Sequence, residues 1–213
     1  MFNPEITASN VADNLLRIKA VKLSPETPYT WASGWKSPIY CDNRKTLSYP
    51  DVRALIRDSF VSLIEEKIGT PDVIAGVATG GIGIGALVAE KMNLPFIYIR
   101  SSVKGHGMQN RIEGVLLSGQ KVVVIEDLVS TGKSSLEAVN AIREADGKVV
   151  GMCSIFTYGF EVARKAFEKA DVKLYPLTEY DRLIEKAIEA NYIDRKDLDT
   201  LKEWRLRPEK WRQ

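Results

Sequence analysis

Cysteine and histidine are scarce in this chain of 213 residues, which has two cysteines and one histidine. Cys41 and Cys153 are far apart in sequence, and no CxxC pair or Cys/His cluster accompanies them. Zinc sites and disulfide frameworks both need such recurring spacings. We therefore expect two reduced thiols, which is typical of a cytoplasmic protein.

Long apolar runs and a charge excess are also missing. No apolar run approaches the roughly 20 residues that cross a bilayer, and the opening MFNPEITASN lacks the basic and apolar regions of a signal peptide. The 30 basic and 28 acidic residues leave a net charge of +2, whereas nucleic-acid-binding domains usually show a clear basic excess. These features predict neither a membrane anchor nor a nucleic-acid partner.

Apolar runs alternate with helical patterns from residue 72 onward. The runs predict strands at 72–78, 96–100, 121–127, 148–158 and 172–177. Helical spacing predicts helices at 9–20, with Ser9 as N-cap, and at 51–68, 84–92, 133–145 and 160–170, followed by two polar helices. Continuous apolar strands alternating with helices indicate the α/β class, with a central parallel sheet buried on both faces and flanked by helices.

The stretch VVVIEDLVSTGKSS, residues 122–135, ends in Gly132-Lys133-Ser134 as a nucleoside-triphosphate loop does. That loop requires G-x-x-x-x-G-K-[ST], because its first glycine begins the backbone nest around the phosphates. The position of this glycine is occupied by Asp127, whose charge would face the phosphates. The sequence therefore excludes a triphosphate loop here.

The same stretch is suited to a sugar phosphate. Main-chain amides from Val129 to Ser134 and the following helix N-terminus favour a phosphate monoester. Hydroxyl groups of Ser130, Thr131 and Ser134 can add donors. The adjacent carboxylates of Glu126 and Asp127 would instead suit vicinal hydroxyls, so we predict a sugar with a 5′-phosphate.

An apolar strand, two acids, a small polar loop and Thr-Gly before a helix resemble the signature of the type I phosphoribosyltransferases. The resemblance implies that the acids bind the ribose hydroxyls of phosphoribosyl pyrophosphate (PRPP) and that the loop binds its 5′-phosphate. Carried onto this chain, the PRPP-binding residues of the stretch are Glu126, Asp127, Leu128, Val129, Ser130, Thr131, Gly132, Lys133 and Ser134.

Two further segments are similar to the branch of this family whose acceptor is orotate. They are YTWASGWKSPIYCDNR at 29–44, called the hood below, and RSSVKGHGMQNRIEG at 100–114. The likeness extends from the N-terminal helix to at least residue 158. It implies transfer of the 5-phosphoribosyl group from PRPP to N1 of orotate, giving orotidine 5′-monophosphate and pyrophosphate in UMP synthesis. Ser130, Tyr40 and Cys41 match orotate contacts of that branch.

The resemblance also implies one compact domain in three parts. We expect an N-terminal helix with the hood at 1–50, an α/β core at 51–180, and C-terminal helices with a tail at 181–213.

The segment ATGGIGIGA, residues 78–86, has the G-x-G-x-x-A pattern of a dinucleotide-binding loop. Such a fold usually has an acid about 20 residues later for the ribose, but the next strand ends in Arg100. An NADP-dependent enzyme therefore stays an alternative. The family resemblance favours a tight loop, with Thr79 and Gly80, that binds pyrophosphate through main-chain amides.

The histidine lies between two glycines, in a segment that also concentrates positive charge. A mobile cationic lid at 101–113 would suit a departing pyrophosphate. The resemblance implies that Arg100, Lys104 and His106 contact pyrophosphate, and that the lid closes over the neighbouring subunit's site in a homodimer. Lys104, His106 and Asp127 are then the catalytic residues.

The resemblance implies Mg²⁺ as cofactor, held mainly by PRPP and water and without a direct protein ligand. Two alternatives remain inside the superfamily. A purine phosphoribosyltransferase would lack the hood, and a PRPP-binding transcriptional regulator would need a DNA-binding segment.

Three positions depart from one well-known branch of the family. Ala32 replaces a lysine, Thr79-Gly80 replaces Tyr-Lys, and an arginine is missing near Thr157. The partner of the orotate carboxylate is therefore open, with Lys36 and Arg44 as hypothetical candidates.

Overall fold

The structure is a computed structural model that describes residues 2–31, 33–100 and 111–212. Its strands are β1 (Val21–Leu23), β2 (Tyr29–Thr30), β3 (Lys36–Ser37), β4 (Ile39–Cys41), β5 (Val73–Val77), β6 (Phe96–Ile99), β7 (Ile112–Glu113), β8 (Lys121–Val129), β9 (Lys148–Thr157) and β10 (Leu174–Glu179). Its α-helices are α1 (Pro4–Arg17), α2 (Pro50–Lys67), α3 (Gly80–Met92), α4 (Lys133–Glu144), α5 (Glu161–Lys169), α6 (Tyr180–Glu189) and α7 (Leu198–Leu206).

A six-stranded sheet in the order β10-β9-β8-β5-β6-β7 forms the centre of the fold. β10, β9, β8, β5 and β6 run parallel, as the alternation of strands and helices predicts. The predicted central parallel sheet is confirmed, and at one edge it gains a short strand, β7, that pairs antiparallel with β6. β7 has only two residues, too few to show a strand pattern in the sequence.

Both faces of the sheet are covered, which confirms the prediction from its continuous apolar strands. Along β8, Val123 and Ile125 pack into the cluster that contains α1, α2 and α3. Val122 and Val124 point the other way, into the cluster that contains α4 and α5. All four side chains are fully buried. Because side chains alternate between the two faces of a strand, β8 contributes to two separate hydrophobic cores.

The predicted start of the first helix is wrong. α1 begins at Pro4, and Asn3 rather than Ser9 caps it, since the Asn3 side chain accepts a hydrogen bond from the Ile6 amide. Proline is favoured at a first helical position because its missing N–H has no helical partner there.

The start of α3 was also predicted too late, at residue 84. The helix begins at Gly80, inside the glycine-rich segment. Glycine lowers helix propensity, but here it permits close packing. A Cβ atom on Gly81 would lie 2.4 Å from the Ile125 carbonyl oxygen. Tertiary packing therefore outweighs the local propensity.

Short antiparallel strands form the hood and its surroundings. β2 pairs with β3, and β4 pairs with β1. A 3₁₀ helix at Asn43–Ser48 then leads into α2. In the described part of the chain, every helix is too short or too polar to cross a membrane.

Candidate active site

Glu126 and Asp127 lie within the long strand β8, at the carboxyl edge of the sheet. The strand continues to Val129, two residues beyond its predicted end. Glu126 is buried, and Asp127 is partly exposed. Ligands of parallel α/β sheets bind at this edge, so the fold brings the acidic pair to the expected place.

Hydrogen bonds hold the Glu126 carboxylate. Ser135, in the first turn of α4, donates from Oγ to Oε2 at 2.9 Å, and the Asp127 amide donates to Oε1 at 3.1 Å. Burial, followed by the negative charge of Asp127, raises the pKa of Glu126 well above its usual value. Burial also raises the pKa of Asp127. Both shifts disfavour the ionised forms, so a bound cation or hydroxyl donor would stabilise the charged pair.

Gly80 packs directly against the Asp127 carboxylate. A Cβ atom at position 80 would lie 2.2–2.3 Å from the carboxyl atoms of Asp127, well inside van der Waals contact. The predicted pyrophosphate loop thus meets the acidic pair, with Thr79 exposed beside it and Gly80 as the first residue of α3.

The predicted phosphate loop follows β8 and ends at the N-terminus of α4. Gly132 has φ +81° and would clash with Phe167 if it carried a Cβ atom, which would lie 2.8 Å from the ring. Thr131 and Ser130 precede it and are partly exposed. Lys133 and Ser134 begin the helix with exposed side chains. The loop therefore presents hydroxyls and a helix N-terminus to solvent, a setting that favours an anion.

A cavity of about 250 Å³ lies beside this loop. It brings together the predicted orotate contacts Tyr40, Cys41 and Ser130; its other lining residues are Thr30, Trp31, Leu128 and Tyr158. The structure thus places Leu128 in the wall of this cavity, whereas the sequence suggested the phosphate loop. Val129 is fully buried, and its carbonyl accepts hydrogen bonds from Thr157 and the Tyr158 amide.

The described residues that line this cavity are uncharged. Burial raises the pKa of the Cys41 thiol and of the Tyr158 hydroxyl, so both stay neutral at pH 7. A flat, partly apolar ring fits such a wall, while a charged substituent on that ring needs a partner at the rim.

The two candidate charge partners differ in position. Lys36 donates from Nζ to Thr30 Oγ1 at 2.9 Å, and Thr30 lines the cavity. Arg44 donates from Nε to Asp42 at 2.7 Å, and more than half of its side chain is exposed. Lys36 thus contacts a residue of the cavity wall, whereas Arg44 lies near the acidic pair, where its charge partly offsets the effect of burial, which raises the pKa of Asp127.

Two arginines lie on either side of residues 101–110: Arg100 precedes the predicted lid, and Arg111 belongs to its last part. The Arg100 amide donates to the Arg111 carbonyl at 2.8 Å, so the described residues on either side of 101–110 are held together. Arg100 pairs with Glu113 and Arg111 with Glu137, each at 3.4 Å. Ser134 lines the narrow cleft beside both arginines. The predicted catalytic residues Lys104 and His106 lie outside the described residues, as does most of the lid.

Sequence reasoning missed several residues of the site. Ser135 and Asn43 fix the acidic pair, the latter by donating from Nδ2 to the Asp127 carbonyl at 2.6 Å. Trp31 and Tyr158 form cavity walls. Trp31 belongs to the hood, and Tyr158 follows the end of β9 at the sheet edge where ligands are expected. A single sequence still does not show that their side chains form walls of a cavity.

Comparisons with known proteins agree with this geometry. A family model described as phosphoribosyl transferase domain matches residues 46–188. An orotate phosphoribosyltransferase of Porphyromonas gingivalis is 54% identical over 201 residues, covering 94% of this chain and 96% of that protein.

Two solved structures share the fold. UMP synthase of Leishmania donovani superposes with a TM-score of 0.78 at 25% identity, over 92% of this chain but only 42% of that one. The orotate phosphoribosyltransferase of Aeropyrum pernix gives a TM-score of 0.75 at 24% identity, over 86% of this chain and 99% of that one.

The match to the phosphoribosyl transferase domain over residues 46–188 shows that the chain is a phosphoribosyltransferase. Within that class, the chain belongs to the orotate phosphoribosyltransferase family. The dinucleotide-binding alternative is excluded by this membership.

Proposed function

We propose that this chain transfers the 5-phosphoribosyl group of PRPP to N1 of orotate, as its family's name states, through the subsites described above. One observation carries this assignment: residues 126–134 join three subsites in a single run. Glu126 and Asp127 face the ribose, Ser130 lines the base cavity, and the helix N-terminus at Lys133 faces the 5′-phosphate. A nucleotide consists of the same three parts, with the ribose bonded to both the base and the 5′-phosphate.

Catalysis follows from positioning and charge. The bond between C1′ and pyrophosphate breaks as N1 of orotate bonds to C1′ with inversion, and positive charge develops on the ribose ring. Negative charge on Asp127 lies close to that developing cation and stabilises it. Holding both substrates at one sheet edge lowers the activation barrier further, because a bimolecular step becomes effectively intramolecular.

The pyrophosphate leaves toward the Gly80 end of α3 and toward Arg100. Main-chain amides at Thr79 and Gly80 bind its oxygens, and Arg100 adds a cation. Lys104 and His106 offset the charge that grows on the leaving group, and one of them donates a proton to it. In this proposal, the lid that carries them closes over the site of a second subunit in a homodimer.

The acidic pair also fits Mg²⁺. Burial raises the pKa values of the two adjacent carboxylates, and a cation held nearby by PRPP and water would stabilise their ionised forms without a direct protein ligand. When bound with PRPP, Mg²⁺ would neutralise pyrophosphate charge, while PRPP and water supply most of its ligands. Glu126 and Asp127 orient the ribose beside it.

We also propose that the protein is cytoplasmic.

The Lys36 ammonium provides the partner for the orotate carboxylate. It lies at the cavity rim through its bond to Thr30 Oγ1, and a Lys–carboxylate pair meets the need of an otherwise uncharged wall. Main-chain groups at Tyr40 and Cys41 hold the ring edge, and Leu128 contacts its face.

An absorbance assay tests the reaction directly. Purified protein is mixed with orotate, PRPP and Mg²⁺, and the ultraviolet absorbance of orotate is followed. We expect a loss that requires both PRPP and Mg²⁺ and reverses when pyrophosphate is added. Calorimetric binding of PRPP without any loss of orotate would contradict the acceptor assignment. In that case adenine, guanine, xanthine and uracil would be tested next, and then a regulatory role without turnover.

A further inference from the structure

Trp204 lies directly behind the base cavity, although it belongs to the C-terminal helix α7. It is fully buried. Its ring centroid is 5.7 Å from that of Trp31 and 5.5 Å from that of Tyr158, both edge-on. Trp31 and Tyr158 are two walls of the cavity. Both α7 and the hood lie outside residues 46–188, which the family model matches.

Trp204 is also tied to the hood by a hydrogen bond. Its Nε1 donates to the Lys36 carbonyl at 3.2 Å. The side chain of the same lysine donates to Thr30 at the cavity rim. One indole therefore supports two walls of the cavity and fixes the main chain of the residue assigned to the orotate carboxylate.

The hood needs such support because β2 and β3 have only two residues each. A two-stranded hairpin of this size is marginally stable in water at best. Packing against a buried indole supplies the tertiary contacts that the hairpin cannot make by itself. By contrast, the acidic pair lies on the central sheet and is held by Ser135 of α4 and by Asn43, which follows β4 and is not part of the β2–β3 hairpin.

We propose that Trp204 is a positioning residue for the acceptor base, holding the hood so that Trp31 and Lys36 meet the orotate ring. This inference rests on the proposed function. It predicts that the kinetic constants of the two substrates respond differently. Loss of the Trp204 contacts raises KM for orotate and leaves KM for PRPP unchanged. A residue that only stabilises the fold would not separate them.

Steady-state kinetics of Trp204→Phe test this, with Trp211→Phe as the matched control. Trp211 is a buried tryptophan of the same C-terminal region, and its Nε1 donates to Thr200 at 3.0 Å. Each substitution thus removes one indole donor and part of a buried ring. For Trp204→Phe we expect a rise of about fivefold in KM for orotate, the size expected for one neutral hydrogen bond. Its KM for PRPP should stay within twofold, as should both constants in Trp211→Phe.

Thermal unfolding of both variants separates positioning from stability. Similar losses in Tm, with a change in orotate KM for Trp204→Phe alone, support the inference. An orotate KM within twofold of the wild-type value overturns it, and so does an equal rise in both Michaelis constants. If Trp204→Phe does not fold, benzothienylalanine at position 204 removes the N–H and keeps the ring shape, with the same expected change in KM.

The two proposals fail in different ways. Wild-type protein that turns over orotate, together with an unaffected position-204 variant, overturns the role of Trp204 alone. Wild-type protein that binds PRPP but leaves orotate unchanged overturns the proposed acceptor, and the role of Trp204 with it.

Discussion

Asn43 of the hood donates a hydrogen bond of 2.6 Å from Nδ2 to the main-chain carbonyl of Asp127, across 84 residues of sequence. The Asn43 side chain is buried, and its Oδ1 accepts from the Cys41 thiol at 3.1 Å. One amide therefore connects the wall of the base cavity to the strand that carries the acidic pair. The relative position of base and ribose depends on this link.

Asn43→Ala should lower both stability and turnover. The substitution removes the donor from a buried carbonyl, which typically costs about 1–3 kcal/mol. It also releases the hood from β8, so we expect kcat to fall at least tenfold. The measurements are thermal unfolding and steady-state kinetics with both substrates.

Asn14→Ala is the control for Asn43→Ala. Asn14 also donates a side-chain hydrogen bond to a carbonyl, that of Asn10, but within the partly exposed helix α1. The Asn14→Ala variant should retain wild-type kinetics. Normal turnover in Asn43→Ala would show that the link between hood and acidic pair has no catalytic role.

The sequence predicts the parts of this site that depend on local chemistry. Two acids after an apolar strand, followed by small polar residues and a helix, favour an anion site beside a site for hydroxyl groups. The strand positions follow from apolar runs for the same reason. Leu128 shows the limit, because a shift of two residues in the end of β8 moves its side chain from the loop to the cavity wall.

Parts that depend on long-range packing could not be predicted. The start of α3 at Gly80 follows from the close approach of Gly81 to Ile125, which is 44 positions later in the sequence. Likewise, nothing near Trp204 in the sequence indicates that it contacts Trp31. Both contacts arise from the way in which helices cover the sheet, and a local pattern carries no information about them.

Lys36→Ala should weaken the binding of orotate but not that of PRPP. Loss of a charged partner costs about 1.5–3 kcal/mol, so KM for orotate should rise by about tenfold or more, with little change in KM for PRPP. Lys22→Ala removes an exposed cation from the neighbouring strand β1 and serves as the control. Arg44→Ala tests the competing candidate. A tenfold rise in orotate KM for Arg44→Ala, without one for Lys36→Ala, would transfer the role to Arg44.

Gly80→Ala should strongly reduce activity. The new Cβ atom would overlap the Asp127 carboxylate, with separations of 2.2–2.3 Å, so the carboxylate must move away from the ribose. We expect a loss of at least 100-fold in kcat/KM for PRPP, since misplacement by about 1 Å can have that effect. The assay is the same absorbance measurement.

Gly83→Ala is the matched control for Gly80→Ala on the same helix. Its Cβ atom would meet the tip of the Leu47 side chain at 2.8 Å, and that side chain can rotate. Activity within threefold of wild type is expected. Equal losses in the two variants would point to damage to α3 rather than to displacement of Asp127.

Lys104→Ala tests the predicted lid chemistry. Losing one cation opposite a growing negative charge should raise the barrier by roughly 2–4 kcal/mol, as the loss of an oxyanion donor does. The decrease should appear in kcat, because charge grows on pyrophosphate only as the bond breaks. Rates within twofold of wild type would argue against a role of Lys104 in the chemical step.

Glu126→Gln should stabilise the ligand-free protein while it lowers activity. Burial raises the pKa of Glu126 above its usual 4.5, so the folded state resists ionisation more than the unfolded state does. Below about pH 4.5 the carboxyl is neutral in both states, and the substitution has little effect. As the pH rises above that value, the unfolded state gains the charge more easily, and the wild type loses stability relative to the variant.

Thermal unfolding of the ligand-free wild type and variant at pH 4, 5.5 and 7 measures this difference. At pH 7 we expect the variant to melt about 2–4 °C higher, the shift that roughly 1 kcal/mol produces in a chain of this size. Glu144→Gln, at an exposed position of α4, should show no pH-dependent difference from wild type. A variant that is less stable at pH 7, or a difference that does not change with pH, would mean that Glu126 carries no ionisation penalty. In that case the ionised acidic pair would not lower the stability of the ligand-free protein, and its binding of ribose and a cation would carry no cost in stability.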